Sequence, residues 1–336
     1  MKNKVLAVAM LVSILASVSI FAQTNRSRAV RQAPPSLLDL LPTSDAVATI
    51  KVRRVLDEAL PKLLAENPAK VAEVNEELAR FKTQTGLDPR SFDQLAFGLK
   101  YTYPSEGITK IRTIALARGT YNADALVAAG RLAANGKYSE QNHHGKTIYV
   151  FNLERHIKLL GLWNINVREL AVSALDRNTL AIGDVQAVQS AIDAGQTGAR
   201  ANAELIALAN RDPNAILGFG GNISEALLAN LRLSNDSFAR ELTAVRKVYG
   251  TLGMTASDLE LMLAARTVDQ YAARNLSNTV EGLKQLGALF VGRLSAAKGD
   301  LARAALNNLT VTTQGNELQI KTAVAQSQVA PLMRGN

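Results

Sequence analysis

Two stretches of the chain share one pattern of apolar and polar residues. DAVATIKVRRVLDEALPKL begins at Asp45, and NAILGFGGNISEALLANL begins at Asn214. Each opens with a short apolar run that predicts a buried strand, and then has the apolar spacing of an amphipathic helix. With two residues removed from the first stretch, its Glu-Ala-Leu at 58–60 falls on the Glu-Ala-Leu at 225–227. The match indicates that the chain contains a repeat.

A further helix is predicted in each stretch by apolar residues three and four positions apart. Each helix leads to a glycine, Gly86 or Gly253, which tolerates the positive φ common after a helix end. A cap for the next element follows, at Asp88 in the first stretch and at Thr255 with Asp258 in the second. The apolar positions are Val71, Val74, Leu78 and Phe81 in the first helix and Phe238, Leu242, Val245 and Tyr249 in the second.

Both stretches close on a predicted hairpin, LAVSALDRNTLAIGD from Leu170 and LTVTTQGNELQIKTA from Leu309. The first hairpin precedes a predicted helix, VQAVQSAIDAG, and the second precedes a shorter equivalent, VAQSQVAPLM. Between these anchors the first stretch adds two strands, a helix near 122–134 and the hairpin KYSEQNHHGKTIYVFN. The second adds one strand, LELMLAARTV, and a helix from about Asp269 to Gly292. The apolar face of that last helix contains Val280, Leu283, Leu286 and Phe290.

These elements predict an α+β fold built from two related repeats. Each repeat is a mainly antiparallel sheet with helices packed on it, and a pseudo-twofold axis would relate the two. The predicted segments are a signal peptide over 1–22, a basic flexible linker over 23–35, a first repeat over 36–195, a connecting segment over 196–213 and a second repeat over 214–330.

Three motifs give the chain a family resemblance: LLPTSDAVATIKV, TGLDPRSFDQL and LDRNTLAIGD. With the leader they resemble those of a loose group of secreted bacterial proteins whose function is not characterised. The resemblance covers most of the body and implies an envelope location and a duplicated fold. It supplies no catalytic residues.

The first residues have the pattern of a secretory signal peptide. Lys2 and Lys4 precede an apolar run from Val5 to Phe21, and Ala22 suits a cleavage site. We expect a periplasmic or secreted protein cleaved near Ala22, with anchoring by an uncleaved N-terminal segment as the alternative. Cysteine is absent from the sequence, which excludes disulfides and thiolate metal sites. No transmembrane span is expected in the mature chain.

The formal charge of +9 does not predict nucleic-acid binding. Five of the positive charges lie in the leader and in an acid-free tail that contains Arg26, Arg28 and Arg31, so the body carries an ordinary solubility charge. Aromatic residues are only 5% of the chain and are not interleaved with basic runs, as a base-stacking surface would require. The possible partners are an envelope protein or an anionic lipid or polysaccharide.

The glycine-rich stretch near 218–221 looks at first like a phosphate-binding loop. A dinucleotide fingerprint needs a third glycine where Ile223 stands, and a Walker loop needs a lysine that is absent. We therefore predict a structural role for Gly218 and Gly220, as a tight turn or a close backbone contact. In the first stretch Lys51, Arg53 and Arg54 cluster near a predicted helix N-terminus, which makes them a speculative anion-binding site.

No catalytic, cofactor-binding or metal-binding residue is predicted. His143 and His144 are adjacent, and we expect their side chains to splay apart in a hairpin turn, which makes them poor joint metal ligands without a residue from elsewhere. The Ser-x-x-Lys sequence at 295–298 lacks the later motifs of penicillin-recognising enzymes. The amphipathic helices could line a lipid or peptide groove, although core packing is the simpler interpretation.

The leading hypothesis is a non-enzymatic exported protein that acts as a binding or scaffold module in the cell envelope. The alternative is a carrier or sensor of an apolar or anionic small ligand held between the repeats, and the third is an enzyme of unrecognised type. A binding module predicts an exposed apolar patch or an unpaired sheet edge. A carrier predicts an enclosed apolar cavity of several hundred cubic ångströms, and an enzyme predicts convergent titratable groups in a cleft.

Overall fold

The computed structural model describes residues 36–65, 67–85, 88–105, 108–152, 156–159, 163–166, 169–230, 241–294 and 296–329. The predicted signal peptide and basic linker lie outside these residues.

A large antiparallel sheet dominates the mixed α+β fold. Its twelve strands, in spatial order, are β13-β14-β12-β11-β10-β1-β2-β3-β9-β8-β5-β4, and β6 and β7 form a separate pair. The strands are β1 (Ala46–Ile50), β2 (Phe92–Ser105), β3 (Ile108–Gly119), β4 (Tyr138–His143), β5 (Lys146–Asn152), β6 (His156–Leu159), β7 (Trp163–Asn166), β8 (Glu169–Asp176), β9 (Thr179–Gly183), β10 (Leu217–Asn222), β11 (Val245–Met254), β12 (Asp258–Thr267), β13 (Thr310–Gln314) and β14 (Glu317–Ala325).

The helices lie between the strands in sequence. In α1, a π-helical stretch, Val55–Ala59, joins the α-helical pieces Val52–Arg54 and Leu60–Leu63. The others are α2 (Pro68–Thr85), α3 (Ala123–Ala134), α4 (Val185–Thr197), α5 (Ala203–Ala209), α6 (Glu225–Asn230), α7 (Gln270–Phe290), α8 (Ala296–Asn307) and α9 (Gln326–Val329). Within the described part of the chain, no helix is both long and apolar enough to cross a membrane.

Side-chain caps fix where four of these helices begin. Asn122, Asp184, Asn202 and Asp269 each accept a hydrogen bond from a backbone N–H in the first turn, of α3, α4, α5 and α7 respectively. Such a cap satisfies a donor that has no partner inside the helix, and it contributes about 1 kcal/mol. The long helix predicted from Asp269 is therefore confirmed, with Asp269 as its cap.

One face of the sheet packs against α4 and α5, and we call it the α4 face. Val47 of β1 lies on it, as do Ala96 of β2 and its paired residue Leu116 of β3. These side chains are buried with Val188 of α4 and Leu205 of α5. Burial of an aliphatic side chain of this size stabilises the fold by about 1.5–3 kcal/mol. This cluster is the largest core in the described residues.

The opposite face, the α7 face, carries a smaller core in each half of the sheet. In the first half Leu180 of β9 packs with Val127 of α3. In the second half Leu318 of β14 packs with Leu276 of α7. Because neighbouring residues of a strand point to opposite faces, these leucines lie on the face opposite the α4 face. Helices therefore pack on the α7 face in both halves of the sheet.

The predicted helix near 238–249 is wrong from Val245 onward, although residues 241–242 are helical. Val245 and Tyr249 belong to strand β11, and Gly253 lies inside that strand rather than after a helix. The run from Val245 is rich in β-branched and aromatic residues, which favour a strand between β10 and β12. Thr255 accepts the backbone N–H of Asp258 at 3.0 Å in a turn between two strands, so it does not cap a helix.

Candidate functional site

A network of charged side chains lies on the α4 face where α5 meets the second half of the sheet. Glu204 of α5 accepts hydrogen bonds from Lys247 of β11 and from Arg266 of β12, the latter at 2.5 Å. Arg266 also contacts Glu317 of β14 at 3.2 Å. The hydrogen bond from Lys247 lowers the pKa of Glu204, and Arg266 acts in the same direction. The network joins α5 to three strands.

Tyr249 is the buried centre of this network. It is fully buried, and its hydroxyl oxygen accepts a hydrogen bond from Arg211 at 2.9 Å. Burial and the neighbouring Glu317 carboxylate together raise the pKa of Tyr249 to about 12. Burial also raises the pKa of Glu317, but hydrogen bonds with Tyr249, Gln319 and Arg266 outweigh it, and the resulting pKa lies below the ordinary value.

A cleft of about 450 Å³ opens beside the network. Its lining combines both signs of charge, from Arg211, Lys321, Asp212 and Glu260, with the amide of Gln319. Among the described residues, Lys321 and Glu260 have no ion-pair partner. Asp212 likewise has no ion-pair partner among these residues, so the cleft offers one cation and two carboxylates to a polar ligand.

A strip of large apolar side chains is exposed at the C-terminal end of α7. Leu289 is 75% exposed, and four further residues of the strip are about half exposed. Because Leu276 and Val280 face the core of the α7 face, the strip is a surface that core packing does not explain. The exposed strip consists of Leu283, Leu286, Leu289, Phe290 and Leu294.

The strip lies next to one edge of the sheet. In the described part of the chain, β13 pairs with β14 alone, so its other side is a free edge. Val311 of β13 packs in the same core as Leu276 of α7. An exposed apolar helix surface and the free edge of a strand therefore occur at the same border of the sheet.

The cations that formed the speculative anion site all have protein partners. Lys51 donates to the carbonyl of Pro213, and Arg54 donates to the carbonyl of Asn214. Arg53 pairs with the carboxylate of Asp93. Burial lowers the pKa of Lys51, and the nearby charge of Arg54 lowers it further. These contacts link α1 to the loop before β10, and anion binding by the three residues stays a prediction.

Gly218 and Gly220 have the structural role expected for them. Both lie within β10, where the backbone of α5 crosses the strand. A Cβ atom at Gly220 would lie 2.9 Å from the carbonyl oxygen of Leu205, and one at Gly218 would overlap the carbonyl of Ala209. Only glycine allows the helix to approach this closely.

The expectation that His143 and His144 splay apart is wrong. Their rings stack with centroids 4.4 Å apart, and both face Asp193 of α4. The reason is the two-residue turn between β4 and β5, in which His144 has φ 48° and Gly145 has φ 77°. The spacing in sequence could not show this, because Asp193 lies fifty residues along the chain. Ser295 of the Ser-x-x-Lys sequence lies outside the described residues.

Comparisons with known proteins find similar solved structures but no family. No protein-family model matches the chain, and no curated protein matches it. Among solved structures, crystal form III of TP0453 is similar over 91% of this chain and 100% of that chain, with a TM-score of 0.46 and 9% identity. Crystal form I of TP0453 is similar over 90% of this chain and 98% of that chain, with a TM-score of 0.46 and 10% identity.

Proposed function

We propose that this protein is a non-enzymatic binding module of the cell envelope, and that it docks an envelope protein on the α7 strip and the β13 edge. The exposed strip is the observation that carries the proposal. Large apolar side chains left in water are unfavourable, and a contiguous group of them is typical of interaction surfaces. An isolated exposed leucine, such as Leu132 of α3, is ordinary by comparison.

The free edge of β13 favours a protein as the partner. A strand edge offers backbone N–H and C=O groups that an extended peptide can pair with. A segment that pairs with Thr310–Gln314 would extend the sheet beside α7 and could cover Leu289 in the same contact. A lipid or polysaccharide has no backbone that would complete this ladder.

Positive charge at the end of the strip indicates which charge the partner should carry. The Arg293 guanidinium lies 5.1 Å from the centre of the Phe290 ring, and Lys298 follows on the first turns of α8. Among the described residues Lys298 has no ion-pair partner, whereas Arg303 pairs with Asp300. The expected partner is therefore a protein with an apolar surface bordered by acidic residues.

Site-specific cross-linking in living cells tests this surface. A photoreactive residue at Leu289 is expected to capture one envelope protein, and the same residue at Leu132 is expected not to capture it. The two positions form a matched pair because both are leucines on helices and both are more than 70% exposed. Leu289→Glu should abolish binding of the purified partner, while Leu132→Glu should retain it. Capture of lipid alone, capture of a second copy, or equal capture at both positions would contradict the proposal.

The envelope location is part of the same proposal. It is supported by Lys2, Lys4 and the apolar run that precedes Ala22. Fractionation of cells that produce the tagged protein tests it, together with the mass of the mature N-terminus. Recovery in the cytoplasm with an intact N-terminus would be the contrary result.

We also propose that the chain is an internal duplication. The strand order supports this, because β1 and β10 are neighbours and each is followed outward by two hairpins, β2–β3 and β8–β9 on one side and β11–β12 and β13–β14 on the other. In the sequence register proposed above, Thr49 corresponds to Gly218, and these two residues are paired across the β1–β10 boundary. An alignment of relatives should superpose the two halves at this offset, and a consistent match at another offset would overturn the idea.

The cleft favours a second candidate function, the capture of a small polar ligand. The observation is the pair of unpartnered charges, Lys321 and Glu260, that face a space of about 450 Å³. The apolar cavity between α1 and α2 is only about 140 Å³, below the roughly 300–1,000 Å³ of pockets for drug-sized ligands. A thermal-shift screen of amino acids and small carboxylates tests the cleft. A stabilising compound should lose its effect in Lys321→Gln, and an undiminished effect would place binding elsewhere.

A further inference from the structure

The hairpin between β4 and β5 brings two imidazoles to one carboxylate. His143 Nε2 lies 2.6 Å from Asp193 Oδ1, and His144 Nδ1 lies 3.0 Å from the same oxygen. The three ligand atoms all lie within 4.8 Å of one another. Asp193 projects from α4, so the cluster joins the turn of the hairpin to a helix that is packed on the sheet.

We propose that His143, His144 and Asp193 bind a divalent transition metal ion, with zinc as the ion that the donor set fits best. Two imidazole nitrogens and one carboxylate oxygen are a usual set of three protein ligands for Zn²⁺, with water in the fourth position. Magnesium and calcium prefer oxygen ligands and are not expected here. The site is independent of the docking surface on α7.

The distances require only a small adjustment. With metal–ligand bonds of about 2.0–2.1 Å, neighbouring ligands of a tetrahedral ion are about 3.3 Å apart. The two nitrogens are now within hydrogen-bond distance of Asp193 Oδ1. Each would move outward by less than about 1 Å to admit an ion between them, and His143 and His144 are on a hairpin tip where such a movement is inexpensive.

The turn itself gives the site its geometry. Adjacent residues of a strand point to opposite faces, and the left-handed conformation of His144 is what returns its ring to the side of His143. Asparagine would adopt this conformation more readily than histidine, since Asn-Gly is the preferred pair in such turns. The hairpin is held to α4 a second time, by a hydrogen bond from the Gln196 side chain to the His144 carbonyl at 3.2 Å.

Access also fits a metal site. The side chain of His144 is 53% exposed and that of Asp193 is 38% exposed, so an ion can enter from solvent and keep a bound water. Binding would add a link between the hairpin and α4. Because the ion binds the folded chain, it is expected to raise the melting temperature, and above Kd the rise should grow with the logarithm of the ion concentration.

Titration of the full purified protein with Zn²⁺ tests the proposal. We expect one ion per chain, a rise in melting temperature with Zn²⁺ and no rise with Mg²⁺. His144→Asn is the most informative variant, because it keeps or improves the turn and removes one ligand. It should weaken Zn²⁺ binding by about tenfold or more, as should His143→Gln and Asp193→Asn. The melting temperature of His144→Asn without metal should be unchanged or higher.

The third histidine of the chain, His156, supplies the control. His156→Gln should bind Zn²⁺ as the unaltered protein does. Absence of saturable one-to-one binding would show that the cluster is only a hydrogen-bonded link between hairpin and helix. Binding that survives in His144→Asn and in Asp193→Asn would place the ion at another site, and either result overturns the proposal.

Discussion

One row of paired residues crosses the α4 face, and the burial and polarity of its side chains differ between the two halves of the sheet. The row starts at the central pair Thr49 and Gly218 and runs outward through successive strands in both directions. In the first half its members are all fully buried, whereas in the second half burial decreases outward, from buried Thr251 through partly buried Met262 to two exposed polar residues. The first half of the row is Ala96, Leu116, Ala181 and Ser173. The second half is Thr251, Met262, Lys321 and Thr310.

The difference follows from what comes after the last strand of each hairpin. After β9 the chain forms α4, thirteen residues long, which lies across the first half of the row. After β14 the described chain forms only the four-residue α9. Without a helix to cover it, an antiparallel sheet has a solvated face, and a solvated face needs polar side chains. The cleft with Lys321 and Glu260 exists because this half is uncovered.

The largest loss of stability is expected when the type of residue found in one half of the row is placed in the other half. Ala181→Lys would put a charge into the buried row beneath α4, and burying a charge is costly. We expect a loss above about 4 kcal/mol in the free energy of unfolding, or failure to fold. Leu116→Ala is the milder companion variant, with a loss of about 2–5 kcal/mol.

Urea denaturation measures both variants against Met262→Ala, the residue opposite Thr251 in the second half. Because Met262 is only partly buried, its loss should be smaller than that of Leu116→Ala. Equal losses for these two variants would mean that the second half is covered in solution, which would remove the contrast.

The next largest effect is expected at the contact between α5 and β10. This contact lies at the boundary between the covered and the uncovered half of the α4 face. Gly218→Ala would force the new methyl group against the carbonyl of Ala209, and we expect a loss of about 3 kcal/mol. Gly195→Ala is the matched control. It lies in α4 with open space around it, so the change should stabilise the protein slightly through helix propensity. Thermal melts of the two variants test this. An unchanged melting temperature for Gly218→Ala would show that α5 does not lie this close to the strand.

Acid should affect the second half more than the first, because the charged network is there. Glu317 has a pKa below its ordinary value in the folded protein. A lowered pKa gives stability that is present above the unfolded value of about 4.3 and is lost as pH falls through the folded value. Glu317→Gln should therefore cost about 1.5 kcal/mol at pH 7.

Below pH 4 the difference between Glu317→Gln and the unaltered protein should shrink. Free energies of unfolding from urea titrations at pH 7, 5 and 3 check this. Glu73→Gln, which changes an exposed carboxylate on α2, is the control and should follow the unaltered protein at each pH. If the free energies of unfolding of the Glu317 variant and the unaltered protein differ by the same amount at all three pH values, the network does not lower the pKa of Glu317.

The fold was predictable from the sequence wherever one periodicity was uninterrupted. The helix expected from about Asp269 to Gly292 is observed as Gln270–Phe290, and both terminal hairpins are present. The prediction was wrong near Val245 and Tyr249, where a spacing of four fits a helix face but two strand faces bury the same residues. A short segment of this kind is decided by its neighbours in the sheet, which a single stretch of sequence does not contain.

The candidate sites were less predictable, because tertiary packing assembles them. His144 and Asp193 come together through a strand, a hairpin and a helix, and only the His-Gly pair at the turn gave a local signal for positive φ. Glu204 and Glu317 likewise meet through Arg266 from three separate elements. The exposed strip was visible as the apolar face of α7, but its partial burial could be known only from the packing of the sheet.

The smallest effect is expected at the exposed end of the row. Lys321 occupies the position opposite Met262, as Ala181 occupies the position opposite Leu116. Because Lys321 is exposed and has no ion-pair partner among the described residues, Lys321→Ala should change the free energy of unfolding by less than about 0.5 kcal/mol. Lys321→Ala and Ala181→Lys are opposite substitutions at corresponding positions of the row. The first should leave stability almost unchanged and the second should reduce it strongly. A loss of about 2 kcal/mol for Lys321→Ala would be well outside the range for an exposed site, and it would mean that the cleft is covered in solution.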